Sequence, residues 1–148
     1  MYGDKMEIPE EEYYIPIGKA DVKKEGKDVT LVSFGKILKL ALQAAADLEK
    51  EGISCEVINI HTIKPLDEEI ILKSVEKTGR IVTAEEHNYI GGLGESVAGM
   101  LSRKRPTIQE FVAVNDTFGE SATPAELMKK YGIDSDAVQA AVKRIMKR

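Results

Sequence analysis

A single cysteine, Cys55, excludes an internal disulfide framework and fits a reducing compartment. Only two histidines are present, His61 and His87, and they stand at no metal-ligand spacing, which argues against a zinc site. There is no basic excess: 21 Lys and Arg stand against 25 Asp and Glu, for a net charge of -4. A phosphate-backbone binder needs a cationic stripe, so nucleic acid is not an expected partner. No apolar run approaches the ~18 residues of a membrane span, and no basic-then-apolar leader opens the sequence. Also missing are G-x-G-x-x-G, a P-loop, C-x-x-C, G-x-S-x-G, internal repeats and low-complexity tracts. These gaps remove the common nucleotide, redox and serine-hydrolase readings and leave a small acidic protein, expected in the cytoplasm.

What remains is 148 residues, 43% hydrophobic and 31% charged, enough for one domain with a core of its own. Residues 1–14, with Glu7, Glu10, Glu11 and Glu12 around Pro9, read as an exposed lead-in or linker. The domain is expected over residues 15–148. Residues 19–23, a turn at Glu25-Gly26-Lys27-Asp28 and the segment from Val29 suggest a small hairpin at the sheet edge.

From there strand and helix patterns alternate. Residues 29–34 form a β-branched, doubly buried type of strand; residues 37–51 carry apolar positions at helical spacing and stop at Gly52. A second such strand covers 54–60. Asp67 is placed to cap the next helix, which Glu68 and Glu69 suit and Gly79 closes. The third strand is read at 80–85, a helix from the glycine turn at 91–94 to Lys104, and the fourth strand at 108–114. Thr123 and Pro124 start another helix, without a complete capping box in the reading, and Asp134 or Ser135 caps the last. Strands separated by helices imply βαβ units. The expected class is therefore α/β: a three-layer sandwich, its sheet mainly parallel, helices on both faces, with one antiparallel edge strand.

Chemistry is sought first in Glu85-Glu86-His87-Asn88-Tyr89-Ile90-Gly91-Gly92-Leu93-Gly94-Glu95, just past a strand's carboxyl end, where open parallel sheets place ligands. The glycines suit a helix start at which backbone N–H groups meet an anion, or simply a tight turn, and the turn is the preferred reading. Glu85 and Glu86 beside His87 are the residue types of an acid–base pair. Extended backbone alternates its side chains, so only one carboxylate can face His87, and capping or anchoring the loop is preferred to catalysis. His61 at the end of its strand reads as a loop hydrogen bond, Cys55 as a buried inert thiol, and Asp116 and Ser121 as turn formers. Ser33 and Ser96 lie in no nucleophile elbow. No catalytic, cofactor-binding or metal-binding residue is assigned.

Several of these segments, in order, resemble a known family. Ile17-Gly18-Lys19-Ala20, Val29-Thr30-Leu31-Val32-Ser33-Phe34-Gly35, Ile58-Asn59-Ile60-His61-Thr62-Ile63-Lys64-Pro65-Leu66-Asp67, and Thr83-Ala84-Glu85-Glu86-His87 with Gly91-Gly92-Leu93-Gly94 are similar to the C-terminal domain of the transketolase superfamily. That superfamily includes the β subunits of 2-oxo acid dehydrogenase E1 components. The tail Val114-Asn115-Asp116-Thr117-Phe118-Gly119-Glu120-Ser121, followed by Pro124-Ala125-Glu126-Leu127, resembles transketolase itself. The resemblance spans residues 14–148. It implies an accessory domain for dimer packing, with possible regulation, in an enzyme that moves two-carbon ketol units between sugar phosphates. In that family thiamine diphosphate and a divalent metal such as Mg are held by the pyrophosphate- and pyrimidine-binding domains. Neither domain has a counterpart here, so the implied partners are those domains and a second copy in a homodimer. The chain is then expected to be inactive alone, as a fragment of a longer chain or of a split subunit. The alternative implication is a partner-docking module of the E1 β type.

Overall fold

Asp21–Lys24 (β1), Val29–Ser33 (β2), Cys55–Asn59 (β3), Arg80–Asn88 (β4) and Ile108–Val114 (β5) make one sheet, ordered β1-β3-β2-β4-β5, in a computed structural model that describes residues 14–148. The lead-in expected at 1–14 thus lies, apart from Tyr14, outside the described residues. Between and after the strands run Gly35–Lys50 (α1), Glu68–Thr78 (α2), Leu93–Lys104 (α3), Pro124–Tyr131 (α4) and Ser135–Ile145 (α5). Strands β3, β2, β4 and β5 pair in parallel, and β1 pairs antiparallel at the edge. The expected α/β class, with a mainly parallel sheet and one antiparallel edge strand, is the one found.

Alternation along the strands sorts the core into two layers. Val29 and Leu31 point towards Ala41, Ala44, Ala45 and Leu48 of α1 and Val138, Val142 and Ile145 of α5. Val32, Ile58 and Ile81 point the other way, towards Ile71 and Val75 of α2 and Leu93 and Val97 of α3. Fully burying each of the valines, leucines and isoleucines contributes about 1.5–3 kcal/mol, so the two layers together hold the sheet between its helices. The three buried alanines of α1, Ala41, Ala44 and Ala45, make its sheet-facing side narrow enough for close packing.

The expected hairpin does not form. β1 is a strand, but it pairs with β3 and not with β2. The cause lies in residues 25–28. Lys27 N and Asp28 N both donate to Ser54 O, at 3.2 and 2.8 Å, and Ser54 N donates to Asp28 Oδ2 at 2.7 Å. Gly26 passes so near β3 that a Cβ would stand 2.5 Å from Cys55 O and closer still to its carbonyl carbon. The connection therefore crosses the amino end of β3 instead of doubling back. Two further expectations change in detail. Asp67 occupies the N-cap position of α2, yet its carboxylate accepts from Ala20 N at 2.9 Å and ties down the start of β1. At α4 the capping box is complete, with Thr123 and Glu126 bonded reciprocally.

A polar seam lies under the amino ends of β2 and β3. Thr30 Oγ1 bonds Ser74 Oγ at 2.6 Å and Thr78 Oγ1 at 2.7 Å, and Glu56, only 3% exposed, pairs with Lys77. Burial pulls the Glu56 carboxyl upward, but hydrogen bonds led by Lys77 and Ser74 outweigh it and hold it below its ordinary 4.5. Lys77 is held above its ordinary 10.5, chiefly by its hydrogen bond to Glu56. A lowered carboxyl contributes stability above its unfolded pKa and loses it as pH falls through the folded one; a raised amine does the reverse at the alkaline end. Stabilisation by this pair is therefore full between those two ordinary values and declines on either side. Urea unfolding across pH checks this: Glu56→Gln should flatten the acid slope and leave the remaining profile in place.

Candidate functional site

Where β4 gives way to α3, the chain leaves the sheet through Gly91 at φ 77 and enters the helix at Gly92, an N-cap with no side chain to offer. The first N–H groups of a helix need acceptors, and a carboxylate there also meets the positive end of the helix dipole. Glu85 supplies both. It is 1% exposed, and its two oxygens accept from Leu93 N at 2.8 Å and Gly94 N at 2.9 Å. Here Gly92 is required by close approach: a Cβ would stand 2.7 Å from Glu85 Cδ and nearer to Oε2. The anion for which the glycine turn looked built is thus this chain's own carboxylate.

The acid–base pair is not assembled. His87 is exposed, and its Nδ1 bonds Asn88 O at 2.8 Å, with no bond to Glu85 or Glu86. β4 runs three residues past the expected end at Glu85, and its register against β5 slips between Ala84 and Asn88. This slip breaks the simple alternation assumed for these residues. Asn88 spends its side chain on Ile90 N and on Asp116 Oδ1, each at 3.0 Å, and Glu95 Oε2 accepts from Gly91 N at 2.7 Å. Asp116 has φ 42, a turn conformation that Asp tolerates.

Elsewhere the candidates also do structural work. His61 Nδ1 bonds Thr62 Oγ1 at 3.1 Å, and that hydroxyl accepts from Gly18 N at 3.1 Å, so both residues fasten the segment before β1 over the β3–α2 loop. Ser33 Oγ donates to Ala84 O at 2.8 Å and Ser96 Oγ to Gly92 O at 2.9 Å. Ser121 is exposed on the loop before α4. Cys55 is buried, and burial pushes its thiol up to about 12. Iodoacetamide at pH 8 should therefore leave it untouched in the folded protein and label it promptly in denaturant. Fast labelling of the native chain would contradict the burial.

Among the described residues no three His, Cys, Asp or Glu side chains converge as a metal-ligand set. The backbone donors Leu93 N and Gly94 N at the start of α3 are already taken by Glu85. These residues do not fit a divalent metal with a diphosphate, and no reaction step is derived through either.

Sequence reasoning missed a groove of about 430 Å³ between α3 and β5, lined by Tyr89, Glu95, Phe111, Ala113 and Asn115. Phe111 stays 36% exposed because α3 lies over β4 and leaves this face of the edge strand uncovered. The available signal was Gly94, whose Cβ would stand 2.5 Å from Phe111 Cε1. Gly99 differs from its neighbours. A mid-helix glycine costs about 1 kcal/mol relative to alanine, yet its Cβ would meet nothing nearer than Arg103 Nη1 at 3.5 Å.

Known proteins share this architecture. The family described as "Transketolase, C-terminal domain" matches residues 18–138. A 6-deoxy-6-sulfo-D-fructose transketolase subunit from Clostridium sp. (strain MSTE9) is 39% identical over 143 residues, 97% of this chain and 44% of that protein. The pyruvate dehydrogenase E1 component subunit beta of Staphylococcus epidermidis is 50% identical over 100 residues, 68% of this chain and 31% of that protein. The chain thus spans less than half the length of these curated relatives. Among solved structures, a split gene transketolase in the form of an inactive β4 tetramer superposes with a TM-score of 0.88 at 46% identity, covering 91% of this chain and 44% of that one. A transketolase mutant from Pichia stipitis, at 19% identity and a TM-score of 0.67, shares the fold over 88% of this chain and 18% of its own. By the family match across most of its length, the chain belongs to the transketolase C-terminal domain family.

Proposed function

We propose that this chain is the C-terminal accessory part of a transketolase that transfers two-carbon ketol units between sugar phosphates, without a reacting group of its own. Thiamine diphosphate and a divalent metal, held by the pyrophosphate- and pyrimidine-binding domains of the same enzyme, supply the chemistry. This domain packs against those domains and takes part in a homodimer in the cytoplasm. The observation that carries the reading is the extent of the match to a transketolase subunit, which takes in 97% of the chain. The internal use of Glu85, His61 and Asn88 supports the accessory role, since each candidate is committed to holding a loop.

A second reading, a docking domain of the E1 β type, draws on the higher identity to the pyruvate dehydrogenase subunit, 50%, over a shorter span. Calorimetric titration of the isolated chain with thiamine diphosphate and Mg tests the accessory role common to both readings. No binding is expected, and micromolar affinity would overturn it. A choice between sugar phosphates and 2-oxo acids as substrates of the reassembled enzyme separates the two.

A further inference from the structure

Every residue from Asn115 to Glu126 is exposed, yet this segment is fastened at several points. Asp116 Oδ1 accepts from Asn88 Nδ2 at 3.0 Å, the Tyr131 hydroxyl donates to Phe118 O at 3.2 Å, and Lys130 Nζ pairs with Glu120 Oε2 at 2.6 Å. The reciprocal Thr123–Glu126 capping box closes its far end. In the middle of this arm Phe118 is 98% exposed, more than any other large hydrophobic side chain among the described residues. A ring in water forgoes the burial that aromatic side chains gain in a core. Here the backbone that carries it is nevertheless bonded in place, and a Cβ at the next residue, Gly119, would meet nothing within 4 Å. Fixing a segment beforehand lowers the ordering cost of binding, and aromatic side chains are the ones enriched in the buried centre of an interface.

We infer that Phe118 is the anchor by which this chain docks on the polypeptide carrying the pyrophosphate- and pyrimidine-binding domains, its ring seated in an apolar pocket of that polypeptide. The inference rests on the accessory reading above and deepens it by naming the contact. The occupant is argued from length: the chain covers 44% of the transketolase subunit it matches and 44% of the split gene transketolase chain, so each of those proteins carries a further body of its own. The arm leaves β5 at Asn115, which lines the α3–β5 groove, so the docked body stands at the carboxyl edge of the sheet beside Tyr89 and Phe111. Asp116 and Glu120 lie two residues to either side of the ring, and a pocket rimmed with Lys or Arg complements them.

Calorimetric titration of the full chain with that polypeptide, expressed separately, decides it. Phe118→Ala should weaken binding at least about tenfold. It should melt where the parent does, since the ring stands in solvent in the free chain. Phe118→Leu should keep part of the affinity. Tyr131→Phe frees the Phe118 carbonyl but keeps the ring, so it should weaken binding by a smaller factor. The double variant should bind little worse than Phe118→Ala, because a fixed backbone serves only while it carries the ring. The chain has no tryptophan, so Phe118→Trp adds a single emitter whose fluorescence, taken as the difference from the parent, should shift to shorter wavelength on docking. A Phe118→Ala chain that binds like the parent would overturn the inference and leave the accessory reading standing. So would a loss confined to self-association in sedimentation equilibrium, which would assign the ring to a second copy. A parent with no affinity for the polypeptide would overturn the accessory reading and the inference with it.

Discussion

Gly92→Ala is expected to destabilise the fold by about 2–4 kcal/mol, read as a lowered urea midpoint at an unchanged slope. The backbone at Gly92 is extended enough for alanine, with φ -92, so the cost does not come from its dihedral angles. It comes from the Glu85 carboxylate, which the new Cβ would displace. Moving that group leaves Leu93 N and Gly94 N without their acceptor and a carboxylate without its donors in a buried site. Each such loss costs about 1–3 kcal/mol, with charge-assisted bonds at the upper end. Glu85→Ala should be at least as costly. Two controls separate this from a general sensitivity of the loop. Gly91→Ala has open space and loses only the left-handed preference, about 1 kcal/mol. His87→Ala, exposed and bonded only to a neighbouring carbonyl, should lie within about 0.5 kcal/mol of the parent. A Gly92→Ala protein as stable as the parent would remove the capping role assigned to Glu85.

Gly26→Ala is the second large effect, expected at about 3 kcal/mol or more. Here the obstructing atoms are backbone, the Cys55 carbonyl group and Glu56 N, which no rotamer change can move aside. The crossing of residues 25–28 over β3 must open, and β1 must leave the sheet edge with it. Hydrogen exchange reads the pattern directly: β1 amides should lose protection while β2, β4 and β5 keep theirs. Even loss of protection across all five strands would contradict a local latch.

The same two glycines show what could be read from residues alone. Doubly buried strands announce themselves through β-branched runs such as Val29-Thr30-Leu31-Val32, and helices through apolar spacing such as 37, 38, 41, 42, 45 and 48. These patterns depend on period alone, so the α/β class and most element bounds follow from them. The partner of β1 does not. A turn at Glu25-Gly26-Lys27-Asp28 has the composition of a hairpin, and only the approach of Gly26 to Cys55 shows that the chain crosses β3 instead. At the carboxyl edge, adjacency suggested Glu85 with His87, whereas the strand slip past Ala84 turned Glu85 inward to the helix start and left His87 in solvent. Anchoring the loop, the preferred expectation for these residues, is what Glu85 does. β5 did not announce the α3–β5 groove, because Ile108-Gln109-Glu110-Phe111-Val112-Ala113-Val114 lacks the polar–apolar alternation that a strand open on one face usually shows.

A ketol-transfer assay tests most directly whether this domain serves an active site built elsewhere. The full chain is assayed with ketose and aldose phosphates, thiamine diphosphate and Mg, first alone and then with the pyrophosphate- and pyrimidine-binding domains supplied as separate polypeptide. The expected result is no turnover from the chain alone and turnover once the other domains are added, with Gly92→Ala weakening that rescue in proportion to its lost stability. Turnover by the chain alone would contradict the accessory role outright.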